Sequence, residues 1–392
     1  MVERPDRHFS GVSAHKISRE ARRIKTQLFA AFHVWKVLGK IQRINYDACR
    51  RTRVQISDGS AGLFDDVAVV LIYQPDGVLE STKYQLDWLI AHSVSPVVVT
   101  NLTLTEHDRR ELARRAHLVI ERPNVGYDFG GYREGIQTIR ERGIRPKNLF
   151  VLNDSIWLPL RADSDLIERS REAPEDIWGL FTDLDWKNRR KGGAEHHAHV
   201  QSYFFRFSEK LAASKDFANY WSKMPLVNDR RFVISMFETK FTRHFRELGY
   251  SAASLYDWTA FIHDLLSITD DKLVDRMLDH QGRIRDREAR IISAMRNSGR
   301  GTAVETRDAL CDQIRLGEVF SSIFYVYPEF QTRHGIPFLK KGRTAELARY
   351  RKELLRTGTH RDFADPIRRE VEAWDEGQVE HGKNWAEALH NS

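Results

Sequence analysis

Two short segments contain the residues of this chain best suited to chemistry. Residues 124–131 read Asn-Val-Gly-Tyr-Asp-Phe-Gly-Gly, and these glycines predict a turn that brings backbone close to a charged ligand. Residues 148–155 form an apolar run that ends abruptly in Asn-Asp-Ser. In open α/β sheets, ligands bind at the carboxyl ends of the strands. The two segments together predict a ligand site made of a glycine turn and a strand-end carboxylate.

This combination favours sugar transfer from a nucleotide diphosphate. The reaction needs positive charge for the departing diphosphate, a base for the acceptor hydroxyl and a pocket that orients the sugar. A strand-end carboxylate is a ligand for Mg²⁺ or Mn²⁺, and Asp154 is placed for that role, with Asn153 and Ser155 as neutral oxygen donors. The alternative role for Asp154 is to cap the next turn.

Short apolar segments alternate with amphipathic ones around these motifs. Predicted strands cover residues 67–73, 96–100, 118–121 and 148–152, and predicted helices cover residues 82–92, 106–116 and 132–142. Continuously apolar short strands are covered on both faces, and the βαβ order implies a parallel sheet. The fold class is therefore α/β, with a Rossmann-like, mostly parallel sheet flanked by helices. The G-x-G-x-x-G fingerprint is absent after the first strand, which disfavours NAD enzymes.

The remaining segments are predicted to complete this domain. Strands are expected at 177–182 and 202–207, and helices at 237–248, 345–355 and 366–373, with a charged helical stretch at 261–315. Residues 55–63 are interpreted as a polar linker. We therefore divide the chain into a basic helical arm (1–60), a nucleotide-sugar-binding and catalytic domain (61–260) and a helical C-terminal region that completes it (261–392).

Composition limits the classes of protein to consider. The 392 residues are 41% hydrophobic and 30% charged, which is ordinary for a globular protein, and no window of about 18 apolar residues exists to span a bilayer. The two cysteines, Cys49 and Cys311, are far apart. They disfavour a disulfide scaffold or a zinc site and are typical of a protein in a reducing cytoplasm.

The net charge of +7 is concentrated at the N-terminus. Residues 1–55 contain thirteen Lys and Arg but only four Asp and Glu, so the remainder is close to neutral. Residues 18–45 have an apolar stripe at three- and four-residue steps and a separate basic face, which predicts an amphipathic helix. Such a helix either lies on an anionic membrane surface or packs on its own domain. No recognisable nucleic-acid-binding fold surrounds it, so we expect no nucleic-acid partner.

Four motifs in this order resemble the rhamnan synthesis protein F family. They are residues 124–131, 150–155, 199–204 (His-Val-Gln-Ser-Tyr-Phe) and 335–341 (Gly-Ile-Pro-Phe-Leu-Lys-Lys). The resemblance implies a bacterial glycosyltransferase of the GT-A fold that acts in the synthesis of rhamnose-containing cell-surface polysaccharides. It also implies an inverting, single-step displacement with a nucleotide-sugar donor.

The resemblance also implies roles for individual residues. The nucleotide-sugar pocket would be lined by Asn124, Gly126, Asp128 and Gly130. Asp154 would stand in for the Asp of an Asp-x-Asp metal motif, but here the motif is Asn-Asp-Ser, which leaves metal dependence open. Glu238, before a helix that ends near Gly249, would be the catalytic base.

Other assignments leave alternatives open. Glu238 could instead act as an acid near a helix N-terminus, and Asp128 could simply form an Asx turn. Arg133 is expected either to pair with the diphosphate or to face solvent. Contacts to substrate are expected from a further group of residues near two predicted strands: Asp183, Asp185, His199, Gln201 and Tyr203.

The sequence thus predicts a cytoplasmic, peripheral inner-membrane glycosyltransferase. The donor expected from the resemblance is dTDP-L-rhamnose, and the acceptor is a growing cell-surface polysaccharide or lipid-linked glycan. The competing hypothesis is a catalytically degenerate scaffold of a polysaccharide assembly complex. A sugar nucleotidyltransferase ranks lower, because the expected basic glycine-rich loop is missing after the first strand.

Overall fold

The computed structural model describes residues 34–35, 37–183, 198–284, 286–297, 301–315, 331 and 334–376. Within these ranges the chain is an α/β protein with a mixed, mostly parallel sheet flanked by helices, which confirms the predicted fold class. Asp185 and, within the predicted 18–45 helix, residues 18–33 and 36 lie outside the described residues.

The strands follow the predicted order, with additions. They are β1 (Gln55–Asp58), β2 (Asp66–Ile72), β3 (Val94–Thr100), β4 (Leu118–Glu121), β5 (Asn148–Asn153), β6 (Ile156–Trp157), β7 (Ile177–Asp183), β8 (His199–Val200), β9 (Phe204–Ser208), β10 (Ala252–Asp257) and β11 (Leu339–Lys340). The strand β1 falls within the residues interpreted as a linker. It pairs antiparallel with β4, so backbone hydrogen bonding gives this polar segment a place at the sheet edge.

Helices cover both faces of this sheet. They are α1 (37–53), α2 (Glu80–Ala91), α3 (Glu106–Arg115), α4 (Tyr127–Glu141), α5 (Leu166–Glu172), α6 (Glu209–Ala212), α7 (Lys215–Lys223), α8 (Arg230–Val233), α9 (Thr239–Glu247), α10 (Trp258–Ser267), α11 (Asp271–Ile284), α12 (Asp286–Asn297), α13 (Ala303–Arg315), α14 (Ala345–Thr357) and α15 (Asp365–Ala373). A π-helical turn, Ile234–Glu238, joins α8 to α9.

The large sheet has the order β1-β4-β3-β2-β5-β9-β7-β10, with β8 beside β7. Parallel pairing joins β4, β3, β2 and β5, and also β7 and β10. The strand β9 runs antiparallel between β5 and β7, so it begins at the edge where those two strands end. The residues just before β9 therefore reach the edge at which the parallel strands finish.

The helix α4 packs unusually close to the sheet because it contains small residues. It begins at Tyr127, five residues earlier than predicted, so most of the predicted glycine turn is helical. A Cβ added at Gly131 would lie 2.5 Å from Leu71 Cδ1, and one at Gly135 would lie 2.5 Å from Val69 Cγ1. These glycines let the helix backbone approach β2 directly.

The helix α1 is docked on α4 by a buried polar network. Glu134 is fully buried and accepts hydrogen bonds from Tyr46 Oη and Arg50 Nε, each at 2.6 Å. Farther along α1, the Leu226 N–H donates to the Gly39 carbonyl at 3.0 Å. One side of α1 is thus fixed to the domain.

The C-terminal region is tied to the domain by strand pairing and a second polar network. The strand β11 pairs with β6, which directly follows the Asn-Asp-Ser motif. Glu370 of α15 accepts hydrogen bonds from Trp157 Nε1 at 2.8 Å and Ser81 Oγ at 2.6 Å. These contacts connect α2, β6 and α15, so the C-terminal helices complete the fold around the end of β5. None of the helices built from described residues is long and apolar enough to cross a membrane.

We predict that Gly135→Ala destabilises the protein by about 1–3 kcal/mol, because the new methyl group overpacks the contact with Val69. Valine is branched at Cβ and cannot rotate away easily. The control is Gly62→Ala, where a Cβ meets nothing within 4 Å and the expected change is within about 0.5 kcal/mol. Urea unfolding measures both; equal stability of the two variants would contradict the close packing of α4.

Candidate active site

The carboxylate of Asp154 lies at the carboxyl edge of the sheet, between the ends of β2 and β5. Its backbone N–H donates to the Leu71 carbonyl at 3.0 Å and so extends the parallel ladder by one residue. Its Oδ2 accepts hydrogen bonds from the Tyr73 N–H at 2.8 Å and from Gln74 Nε2 at 3.1 Å. Asp154 therefore holds the turn after β2, which is not the next turn that the sequence analysis had considered for it.

The neighbours of Asp154 connect this edge to the first turn of α4. Asn153 Nδ2 donates to Asp128 Oδ2 at 3.1 Å, and Asn153 Oδ1 accepts from Ser155 Oγ at 2.6 Å. Gly126 precedes the helix with φ 81°, a left-handed conformation that favours glycine, and its N–H donates to Asn228 Oδ1 at 2.8 Å. The glycine turn and the strand-end motif, which the sequence only predicted to meet, are joined by the Asn153–Asp128 hydrogen bond.

Glu238 reaches the same edge from the π-helical turn. Its Oε1 accepts a hydrogen bond from Ser202 Oγ at 3.0 Å. Tyr132 of α4 donates through its hydroxyl to the Ser202 carbonyl at 2.9 Å. Glu238 is the last residue of the π-helical turn, a type of bulge that is frequent at functional sites. Glu238 is thus an internal helix residue rather than an acid at a helix N-terminus.

Lys340 of β11 completes the group. Its Nζ lies 3.2 Å from Ser155 Oγ and 3.8 Å from the centroid of the Tyr203 ring. The ring of Tyr203 is buried beneath this ammonium group and packs against Phe338. We call the side chains at this edge of the sheet the edge cluster: Asp128, Asn153, Asp154, Ser155, Glu238 and Lys340.

Electrostatics couple the charged members of the edge cluster. The Asp128 side chain is exposed at the surface, but the surrounding protein reduces the hydration of its carboxyl. This raises the pKa of the carboxyl to about 6, helped by the charges of Asp154 and Glu238. Burial also raises the pKa of Asp154, against the hydrogen bonds it accepts. Burial lowers the pKa of Lys340 to about 8, although Glu238 and Asp128 act in the opposite direction. Negative and positive groups therefore lie close enough to influence one another's charge.

Other predicted site residues have different surroundings. Arg133 is buried, with Nη2 2.9 Å from Asp47 Oδ2 of α1 and Nε 2.9 Å from the Trp221 carbonyl, so it neither faces solvent nor joins the edge cluster. Asn124 is exposed. A Cβ at Gly130 would lie 2.1 Å from the Val125 carbonyl oxygen, so this glycine allows the preceding turn to close on the helix.

The predicted substrate-contacting residues lie along the neighbouring strands. Gln201 Nε2 donates to Asp183 Oδ2 at 3.2 Å, at the end of β7. His199 is buried and pairs through its backbone with Asp183. Tyr203 forms the surface under Lys340. Asp183 and Tyr203 are thus at the same edge of the sheet as the edge cluster.

Three residues of this site had no role in the sequence analysis: Gln74, Ser202 and Lys340. Lys340 belongs to a motif noted for its family resemblance, which was a signal, but only tertiary pairing of β11 with β6 reveals where its side chain goes. Ser202 likewise belongs to one of the four motifs, residues 199–204, whereas Gln74 carried no such signal.

The edge cluster does not fit a divalent cation. Among the described residues, no group of three His, Cys, Asp or Glu side chains is arranged to hold a metal ion. Asp154 Oδ2 already accepts two N–H donors, and the ammonium group of Lys340 lies beside Ser155, one of the expected neutral donors.

Comparison with known proteins identifies the family. The model of the family described as rhamnan synthesis protein F matches residues 96–281. An uncharacterized protein of Sinorhizobium fredii, y4gN, is 36% identical over 375 residues, which cover 95% of this chain and 94% of that protein. This chain belongs to the rhamnan synthesis protein F family. The membership confirms the resemblance and indicates a glycosyltransferase-related role in rhamnan synthesis.

The match to a second relative covers less than half of either chain. The virulence protein VirA of Vibrio anguillarum is 30% identical over 165 residues, which cover 41% of this chain and 49% of VirA.

We predict that Asp128→Asn stabilises the protein at pH 7.5 but not at pH 4. The folded-state pKa of Asp128, about 6, lies above its ordinary value of 3.8, so native stability falls as pH rises through this interval. The amide removes that loss while it can still accept the Asn153 hydrogen bond. Urea midpoints at the two pH values measure the effect.

The matched control is Asp163→Asn. Asp163 is exposed, and Arg161 lowers the pKa of its carboxyl, so its replacement brings no gain at pH 7.5. Equal destabilisation of Asp128→Asn at both pH values would show that the carboxyl is not held in an unfavourable environment.

Proposed function

We propose that this protein is a glycosyltransferase that moves a sugar from a nucleotide diphosphate onto a growing polysaccharide or lipid-linked glycan. The donor is dTDP-L-rhamnose, and transfer proceeds with inversion on a GT-A-like fold. The observation that carries the proposal is the edge cluster: carboxylates and a lysine gathered at the carboxyl edge of a mostly parallel sheet, in a member of a family linked to rhamnan synthesis.

In the proposed reaction Glu238 is the base. Its carboxylate is half-buried and is oriented by the Ser202 hydroxyl, which leaves Oε2 to approach an acceptor hydroxyl. Asp154 and Asn153 fix the turn after β2 and the start of α4, so they position the pocket walls. The positive end of the α4 dipole lies beside the same pocket and favours a negatively charged donor. Asp183, with Gln201, is placed to contact the acceptor.

We predict that Glu238→Gln binds the donor nucleotide as the wild-type protein does but loses at least about 100-fold in transfer rate, because only the transition state needs the proton acceptor. Thermal shifts with dTDP, UDP, GDP and CMP measure binding, since a ligand of the native state raises its stability. Transfer from the selected nucleotide sugar, with the anomeric configuration of the product, measures chemistry.

The control is Glu247→Gln on α9, an exposed residue that pairs with Arg243 at 2.8 Å. Full transfer activity in Glu238→Gln would move the base to another residue, with Asp128 or Asp183 next to test. If a folded wild-type sample binds partner proteins but no nucleotide, the hypothesis of a non-catalytic scaffold is favoured. The Asn-Asp-Ser motif, which departs from Asp-x-Asp, supports that alternative.

We further propose that α1 rests on the cytoplasmic face of the inner membrane. Apolar side chains of α1 and of the two described residues just before it form one exposed face: Val34, Trp35, Val37, Leu38, Ile41 and Ile44. Gly39 and Tyr46 lie on the side that packs on the domain. An exposed apolar stripe on a basic helix matches an anionic lipid surface, where a lipid-linked acceptor is found.

The double substitution Leu38→Ser with Ile41→Ser is expected to reduce partitioning onto phosphatidylglycerol-containing vesicles by at least about tenfold, since two apolar side chains no longer enter the bilayer interface. Vesicle sedimentation measures it. The control pair, Leu63→Ser with Leu248→Ser, removes apolar side chains of similar exposure elsewhere on the surface. Equal loss in both pairs, or no loss in either, would contradict a membrane role for α1.

A further inference from the structure

Lys340 reaches the edge cluster from the C-terminal region. In the β6–β11 pairing it lies opposite Ile156, and the Lys341 N–H donates to the Ser155 carbonyl at 2.9 Å. Successive side chains of a strand point to opposite sides. Lys340 accordingly contacts Ser155 and Tyr203, whereas Lys341 turns away and donates to Ser81 Oγ at 3.1 Å. The two adjacent lysines thus have separate contacts: Lys340 lies against Ser155 and Tyr203, and Lys341 lies against Ser81, from where its charge acts on Asp154.

The surroundings of Lys340 are suited to an anionic ligand. Its ammonium group is half-buried, over the Tyr203 ring, and its charge is felt by Asp128 and Glu238 across the cluster. Arg230, exposed at the start of α8, contributes a second positive charge to both Asp128 and Lys340. A lysine is a compact point charge that binds phosphate oxygens without bidentate geometry.

The chemistry of the proposed transfer requires such a charge. When the sugar leaves, negative charge develops on the diphosphate, and a preorganised positive group stabilises it. Among the described residues, the three carboxylates of the edge cluster are not arranged to hold a metal ion together. Lys340 offers positive charge at the same place.

We propose that Lys340 binds the donor diphosphate and neutralises it as it departs, in place of a divalent cation. This inference rests on the proposed glycosyltransferase function and names the group that recognises the leaving group. In the transfer step the bond between the anomeric carbon and the diphosphate oxygen breaks, and its electron pair stays on that oxygen. The acceptor oxygen forms the new bond to the anomeric carbon, and its proton passes to Glu238. Lys340 keeps its proton throughout and donates a hydrogen bond to the diphosphate.

The test compares the wild-type protein with Lys340→Met, Lys340→Arg and the control Lys352→Met, which removes an exposed lysine on α14. Titration calorimetry uses the diphosphate, among dTDP, UDP and GDP, that stabilises the wild-type protein most. The corresponding nucleoside, which carries no phosphate, is titrated in parallel. Each titration is done once with EDTA and once with Mn²⁺. We expect wild-type affinity for the diphosphate to be unchanged by EDTA. Lys340→Met is expected to lose about 10- to 100-fold in that affinity, the range for a hydrogen bond to a charged group, with nucleoside binding unchanged.

Lys340→Arg separates a charge role from a packing role. It is expected to keep most of the affinity and, unlike the wild-type protein, to keep it as pH rises through about 8, where the ammonium of Lys340 loses its proton. Equal diphosphate affinity of Lys340→Met and wild type, or wild-type affinity that disappears in EDTA, would overturn the proposal. If folded wild-type protein binds none of the three diphosphates, the proposed function itself fails, and this inference falls with it.

Discussion

Burial of the central strands on both faces decides where polar chemistry can lie in this protein. The strands β2 and β3 are buried along their whole length, and β5 is buried from its second residue. A charged side chain inside these strands would lose its hydration without compensation. Polar groups therefore collect where the strands stop, and the carboxyl ends of the parallel strands form a single edge. The antiparallel β9 begins at that edge, which brings Ser202 and Tyr203 to the same place.

Close packing of α4 on the sheet fixes one wall of that edge. Gly131 and Gly135 remove the side chains that would separate the helix from β2. The first turn of α4 then holds Asp128 within hydrogen-bond distance of Asn153. The same glycines that suggested a ligand-binding turn thus also serve as helix-packing residues. Both uses depend on the absence of a Cβ, so the sequence pattern alone could not separate them.

The edge cluster is held together at an electrostatic cost. The charges of Asp154 and Glu238 add to the effect of lost hydration in raising the pKa of Asp128, and burial opposes the charge of Lys340. Buried charges are retained where function uses them, and perturbed pKa values cluster at such sites. A diphosphate beside Lys340 would contact the ammonium group without displacing the hydrogen bonds that hold Asp154. The network around Glu370 keeps the C-terminal region, and with it β11, in position for this contact.

The sequence by itself determined the succession of strands β2 to β5 along the chain, the α/β class and the family. Apolar periodicity and short motifs are local signals, so they can be read without the tertiary structure. It also indicated Asp154, Asp128 and Glu238, although not their partners. Tertiary structure alone decided that Asp154 caps the turn after β2, that Arg133 turns toward α1, and that Lys340 enters the site. These outcomes depend on strand pairing and helix docking between segments far apart in the chain. Lys340 and Ser155 are separated by 185 residues, and no local pattern encodes a contact over that distance.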